Sequence, residues 1–518
     1  MKSFVRSAAL AVLSTLPIFS GSNLRGNGKN LAWKDGKVTL RVSRTVHWDG
    51  GDTGVDKREP AASVHTAVFE AIRSWARAGR AGIEVDLDFT DTRSVSGGEN
   101  VVTFTDPAPF DTGVCDKDKF IACTLVTYIE EGTITGVVVA FNPYKRHSSL
   151  GLAGTHDIGL IMMHEMGHVL GLDHTFVRDS VMLSEAEQEP LPGAPAMFPV
   201  RRLSEDDLST LAVLYPLATP GPSPVAGVVK RDSTAVAGVR VVAIDGKGRV
   251  VSGSVTGDDG SYRLLAPPGD YTVAAEPADG PAAFVPEKVA VEEAVAREGV
   301  DVTLRGGVKL VVDSVGVVQS GFYSGTMRVD LARGRDYSLA ITRSPLSLAP
   351  DLIVPEPAIR STGKSSSPSS VPELVREPVK VAGDAATGAY GLIVRAGETA
   401  TLLPAPLRIV PNPHIDAIKD AESGEVVDTL RAGRRYLIQG TDLAGAEATP
   451  EPEFEGAPAP TQLSGVAVRI AGRFIPIVSA KPTEVRISVP DTLGTGEARV
   501  AVVAGTQVES NPLAVKLE

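Results

Sequence analysis

Cysteine is nearly absent from this chain of 518 residues, with two in all, and aromatic side chains make up only 5%. Two cysteines are too few for the cysteine-rich ligand sets that close most structural zinc sites. Basic runs are missing too. Lys and Arg number 51 against 63 Asp and Glu, a formal charge of −12, and no stretch interleaves basic and aromatic residues. These absences argue against nucleic acid and anionic membrane as partners. Beyond the N-terminus there is no apolar run long enough to span a bilayer, so no transmembrane anchor is expected in the mature chain. Glycine (52) and proline (37) are plentiful, which with few aromatics fits many short strands joined by turns. The length suggests three or four domains.

Residues 1–22 carry Lys2 and Arg6, an apolar run over 8–19, and then Ser20, Gly21 and Ser22. This is the pattern of a secretory signal peptide; the rival is an uncleaved N-terminal anchor, for which the run is short. A secreted, extracellular protein is expected, with a periplasmic or cell-surface location as the variant. Cys115 and Cys123 stand eight apart and suit a loop-closing disulfide in such a compartment.

What the chain does contain is concentrated in residues 155–182, THDIGLIMMHEMGHVLGLDHTFVRDSVM, where three of the eight histidines fall within eleven residues. His164 and His168 are four apart on a helical apolar pattern, so both imidazoles leave one helix face a turn apart and can share an ion. Glu165 beside them can reach a water on that ion without being a ligand, the placement a general base needs. Gly171 supplies a residue that tolerates positive φ where the helix should end, and His174 returns as a third ligand. Three protein ligands plus a water describe a catalytic zinc, Zn2+, whereas a structural site is closed by four. The bland alternative is a buried helix whose histidines only find hydrogen bonds.

HEMGHVLGLDH, followed eight residues later by Met182, resembles the metzincin metallopeptidases and looks most like their matrixin branch. The resemblance implies that His164, His168 and His174 bind zinc, that Glu165 handles the proton, and that a methionine packs beneath the ligands. Met182 is the candidate by spacing; Met197, in the tetrapeptide AMFP, is the alternative. Thr175 stands where matrixins usually carry Ser. A matrixin latency cysteine would precede the catalytic domain, and neither Cys115 nor Cys123 does, so a zinc-blocking thiolate is the lesser reading of that pair. No propeptide of useful length fits before Leu31. Calcium, Ca2+, and a second zinc cannot be assigned.

The expected fold class is α+β: a metzincin catalytic domain with a twisted mixed sheet and three helices, followed by all-β sandwich domains. In chain order, residues 37–44 alternate as a strand, and Ser63 is the expected N-cap of a helix to about Ala78 with Val64, Val68, Ile72 and Trp75 on its buried stripe. Residues 83–89 and 101–104 read as strands, and 124–129 with 137–141 as a hairpin whose second arm would offer substrate an exposed sheet edge. His147 and His156 read as exposed loop histidines. Ser204 and Asp207 open a capped closing helix over 203–215, and Asp206 and Asp207 could further hold a chain terminus or loop.

The expected divisions are a signal peptide at 1–22, a peptidase domain at 31–216, a linker at 217–225, and sandwiches at 226–305, 306–405 (with a mobile loop at 360–372) and 406–518. GDDGSYRL and PPGDYTV resemble the carboxypeptidase-regulatory-like sandwich; the last hundred residues resemble bacterial immunoglobulin-like TIG modules. Asp258 and Asp259 read as turn residues as readily as calcium ligands, and His414 is isolated. The implied activity is a monomeric zinc endopeptidase acting on a protein or peptide substrate, with cell-surface or matrix contacts through the β modules. Two rivals remain: a surface adhesin or scaffold whose peptidase domain is weakly active or degenerate, and a metal-dependent hydrolase of something other than peptides.

Overall fold

The computed structural model describes residues 9–12 and 23–518, apart from 80, 95–99, 153, 176, 178–179, 184–200, 218–222, 278–282, 285–286, 294, 306–311, 320–321, 327–328, 344–349, 368–373, 397–398 and 506–507. Among the described residues it is a mixed α+β protein, mostly β-sheet, with four large apolar cores along the chain and smaller clusters beside them. The large cores draw on residues 24–215, 225–304, 315–409 and, with Ala332, 410–517. Among the described residues no helix is long and apolar enough to cross a membrane.

The first core lies between a sheet and two helices. Its strands are β1 (Ala9–Val12), β2 (Lys37–Ser43), β3 (Glu84–Thr90), β4 (Val101–Thr103), β5 (Ala122–Tyr128) and β6 (Thr133–Phe141), in the spatial order β1-β5-β6-β4-β2-β3. β2, β3, β4 and β6 run parallel, while β5 is antiparallel to β6 and to β1. The parallel centre is apolar for the usual reason: β4 is buried on every residue, whereas β2 still alternates. β6 therefore lies inside the sheet, not at its edge as expected for residues 137–141. The antiparallel β5 takes the outer position because a short hairpin can reverse the chain there, and its free side accepts β1 with Ala9 opposite Tyr128 and Val12 opposite Leu125.

Helix α1 (Ala61–Arg77) begins two residues before Ser63, with Pro60 as its N-cap residue; proline suits a helix start, where its missing N–H is not needed. Val64, Val68, Ile72 and Trp75 are all buried. A one-turn helix, α2 (Ala108–Asp111), precedes the Cys115 loop. Helix α3 (Ile158–Val169) is buried nearly all round, its polar His164, Glu165 and His168 included. Helix α4 (Glu205–Leu214) closes this part of the chain with both bonds of its capping box made by Ser204 and Asp207.

The remaining sheets form the three later cores. β7 (Ser223–Arg231) begins inside the stretch read as linker, since Ser223 and Val225 already continue its buried alternation. It is followed by β8 (Val239–Asp245) and the edge strand β9 (Val250–Val255). Residues 360–367, read as mobile, run beside the strand Leu374–Val381: Ser366 and Arg376 exchange backbone bonds, and Glu377 accepts from Ser361 and Ser365. Residues 368–372 lie outside the described residues.

Residues 453–454, between strands of the last sheets, pack back on α1. Glu453, 6% exposed, pairs with Arg77 at 2.7 Å and Arg73 at 3.3 Å, and Phe454 sits among His65, Phe69 and Phe89. On the other face of α1, fully buried Trp75 donates its indole N–H to Met163 O at 3.0 Å, fixing α1 against α3. Trp75→Phe should remove this additional bond to a helix carbonyl and leave a void where the indole was, at a cost of about 1–3 kcal/mol. Urea unfolding of the two proteins checks it; an unchanged midpoint would show that the indole N–H contributes nothing.

Candidate metal centre

His164, His168 and His174 converge: their candidate ligand atoms lie within 4.8 Å of one another, the one such group of three or more among the described residues. Helix α3 places the first two on one face. Asp157 caps that helix by accepting from Leu160 N at 2.7 Å, and is itself held by buried Arg201 through two 2.7 Å contacts. After Leu170 the chain must reverse. Gly171 does so at φ +92°, with Leu31 O only 2.1 Å from where a Cβ would sit, a place no other residue fits.

The imidazoles are oriented through their other nitrogens. His164 Nδ1 lies 2.6 Å from Val181 O and His168 Nδ1 lies 2.8 Å from Leu172 O. A carbonyl only accepts, so both Nδ1 atoms carry the proton and both Nε2 lone pairs face inward. His164 Nε2 is 3.2 Å from His174 Nε2. Burial pushes all three histidines below their usual range, His164 to about 3, with the neighbouring imidazoles adding to the effect on His164 and His168. Neutral, converging nitrogens with fixed tautomers are the donor set a zinc ion takes, and the residues present fit that ion.

Glu165, 3% exposed, accepts from Thr124 Oγ1 at Oε2. Burial raises its carboxyl to about 7, against the opposing pull of the threonine bond. Thr124 stands on β5, so the sheet's antiparallel strand reaches directly to this carboxylate. Nothing in the sequence marked Thr124; only the pairing of β5 brings it to α3.

Met182, 2% exposed, packs under the helix: a Cβ on Gly167 would meet its Sδ at 2.1 Å and Trp75 at 3.2 Å. Met197 lies outside the described residues. Buried Asp207 holds the turn around Met182, accepting from Ser180 Oγ, Val181 N (3.1 Å) and Met182 N (3.4 Å). Asp206 accepts from Thr175 Oγ1 at 2.9 Å. The two adjacent carboxyls thus have partners well beyond the helix dipole.

His147 is not an exposed loop residue. It is 1% exposed, hydrogen-bonded to Asn142 O at 2.9 Å, and bridged in parallel to half-buried His156, because a small sheet of Gly54–Val55, Arg146–Ser148 and His156–Asp157 covers it. Neither joins the three-histidine group. Cys115 and Cys123 form a disulfide in a small cluster with Phe110 and Leu125. Asp259 accepts from Ser261 N and Oγ as a turn residue does, and His414 is exposed, 3.7 Å from Asp416.

In the metal-free protein, Glu165 should hold its proton below about pH 7 and lose it above. Thr124→Val removes a bond that favours the charged form, so the midpoint should rise by about 1 unit. Carbon-13 titration of the Glu165 carboxyl reads this directly; a midpoint that stays or falls contradicts the assigned hydrogen bond.

Residues 52–216 match the family model of the Matrixin peptidases, Peptidase_M10. No curated protein matches the chain. Among solved structures, the chain is similar to SGBP-B of the Bacteroides ovatus mixed-linkage glucan utilization locus in complex with a mixed-linkage heptasaccharide, at 11% identity over 57% of this chain and 64% of that one, TM-score 0.18. It is also similar to the surface glycan-binding protein PbSGBP-B from Prevotella bryantii, at 8% identity over 41% and 42%, TM-score 0.19, so it spans less than two thirds of either protein. The I67–I69 fragment of the titin I-band gives 12% identity over 58% and 98%, TM-score 0.18. At such scores these likenesses carry no argument. The family signal of this chain is that of a matrixin metallopeptidase domain at residues 52–216.

Proposed function

We propose that the chain is a secreted zinc-dependent endopeptidase of the matrixin type, with a catalytic part over residues 31–216 and three β-sandwich modules after it. His164, His168 and His174 hold the zinc, Glu165 is the general base, and Met182 packs beneath the ligands. The observation that carries this reading is the pair of Nδ1–carbonyl bonds that turn His164 and His168 toward one point beside a buried carboxylate. Zinc bound there would polarise the scissile carbonyl and lower the pKa of a water. Thr124 occupies Oε2 of Glu165, which leaves Oε1 to take a proton from that water and return it to the departing amine.

Substrate enters along β5. That strand is the sheet's outer peptidase strand, it carries Thr124, and its free side already takes an antiparallel strand from residues 9–12 of the same chain. Backbone pairing to this edge fixes an extended peptide, and side-chain pockets select among sequences. If residues 1–22 are a signal peptide, their removal opens the edge; if retained, they compete with substrate. The sandwich modules, read as carboxypeptidase-regulatory-like and TIG-like, would mediate surface or matrix contacts on a monomeric protein.

An adhesin or scaffold with a degenerate peptidase domain predicts a lost ligand or a lost glutamate, and all four residues are present; one with a weakly active domain is separated by the cleavage assay. Purified protein should cleave casein or gelatin, lose that activity to a chelator, and regain it with zinc. Glu165→Ala should lower kcat by about 10²–10⁴-fold while still binding zinc; undiminished cleavage would falsify the assigned base. A chain beginning at Asn23 should show a lower KM than one retaining residues 1–22, with kcat little changed. Equal KM values would mean that β1 does not compete at the substrate edge.

A further inference from the structure

The histidine group has one member outside the helix. His164 and His168 sit on α3, but His174 is half-buried on the segment that follows. Among its described residues, Thr175 N donates to Met182 O at 2.9 Å, Ser180 N to Val177 O at 3.0 Å and Val177 N to Thr175 Oγ1 at 3.2 Å. Two anchors tie it to the sandwiches, one relayed by Asp206 of the peptidase part and one direct. Asp206 on α4 accepts from Thr175 Oγ1 with Oδ2, and its Oδ1 accepts from Gly253 N at 2.7 Å. Gly253 belongs to β9, the edge strand of a sheet in the first sandwich, so this N–H finds in Asp206 the partner that a further strand would otherwise supply. The second anchor is Val177, three residues after His174 and 1% exposed. It is buried among Val242, Val250 and Ala274 of the first sandwich and Ala389 of the second.

We propose that the first β-sandwich is a positioning element of the metal centre: Gly253 N–H, acting through Asp206 and Thr175, and the apolar socket around Val177 hold His174 in line with His164 and His168. This rests on the reading of those histidines as zinc ligands. A buried carboxylate is well placed only while its donors are present. Without the Gly253 N–H, Asp206 is free to turn away from Thr175, and without the socket Val177 no longer tethers the segment. The sandwich that follows the peptidase part then completes the centre instead of acting as a spacer.

The test uses the full chain. Gly253→Pro removes the donor at an edge position where proline is tolerated; Asp206→Ala removes the relay; Val177→Ser loosens the socket; Asp206→Asn keeps an acceptor of the same shape. Val468→Ala, in the core of the last sandwich, controls for general destabilisation. Amide exchange over residues 174–183 should quicken in the first three, the zinc Kd should rise about 10–100-fold, and the visible absorption of the cobalt-loaded protein should change. Asp206→Asn should restore all three, and Val468→Ala should lower the melting temperature without moving them. Unchanged exchange and Kd in folded Gly253→Pro and Asp206→Ala overturn the proposal, as does the same loosening in Val468→Ala. A wild type that binds no zinc refutes the metal-site reading, and the exchange data alone then decide whether the sandwich holds the segment. If Gly253→Pro does not fold, Asp206→Ala and Val177→Ser carry the comparison.

Discussion

Two backbone carbonyls, Val181 O and Leu172 O, set the chemistry of this molecule. Each takes the Nδ1 proton of one histidine and so decides where the other nitrogen points. Left to itself, a buried cluster of neutral imidazoles gains nothing by aiming lone pairs at a common point, since like partial charges repel. The carbonyls impose that arrangement, and a cation is what would reward it. Both carbonyls belong to the chain just after α3, so the turn at Gly171 and the loop to Met182 have to be correct before the site exists. Asp207 and Met182 brace that loop from beneath, and Trp75 braces the helix it lies under.

Helix α3 and its histidines were readable because their information is local. Spacing of four residues fixes a shared helix face, Gly171 occupies the positive-φ position its place in the pattern demands, and Ser204 with Asp207 makes the expected capping box. Thr124 could not be read in this way. It reaches Glu165 only through the antiparallel pairing of β5, a contact across forty-one residues that no local pattern encodes. The same limit hid the strand order: residues 137–141 and 122–128 are both apolar strands, and which of them lies nearer the sheet's edge depends on that order, not on composition. His147 was misjudged as exposed because its cover comes from residues 54–55 and 156–157, distant or irregular pieces with no strand signature.

The β-rich remainder showed its alternation clearly and its packing hardly at all. Pairing of Glu453 with two arginines of α1, burial of Phe454 among the aromatic rings there, and acceptance of Gly253 N–H by Asp206 tie later cores to the first. All are tertiary contacts between elements hundreds or tens of residues apart. They make helix α1 and the loop beyond the three histidines depend on later parts of the chain.

X-ray absorption at the zinc edge of the full-length, zinc-loaded protein tests the central claim most directly. One zinc per chain, held by three imidazole nitrogens and one oxygen from solvent, with one imidazole lost in His174→Ala, is the result the account predicts. A zinc closed by four protein ligands, or a spectrum untouched by His174→Ala, would contradict it.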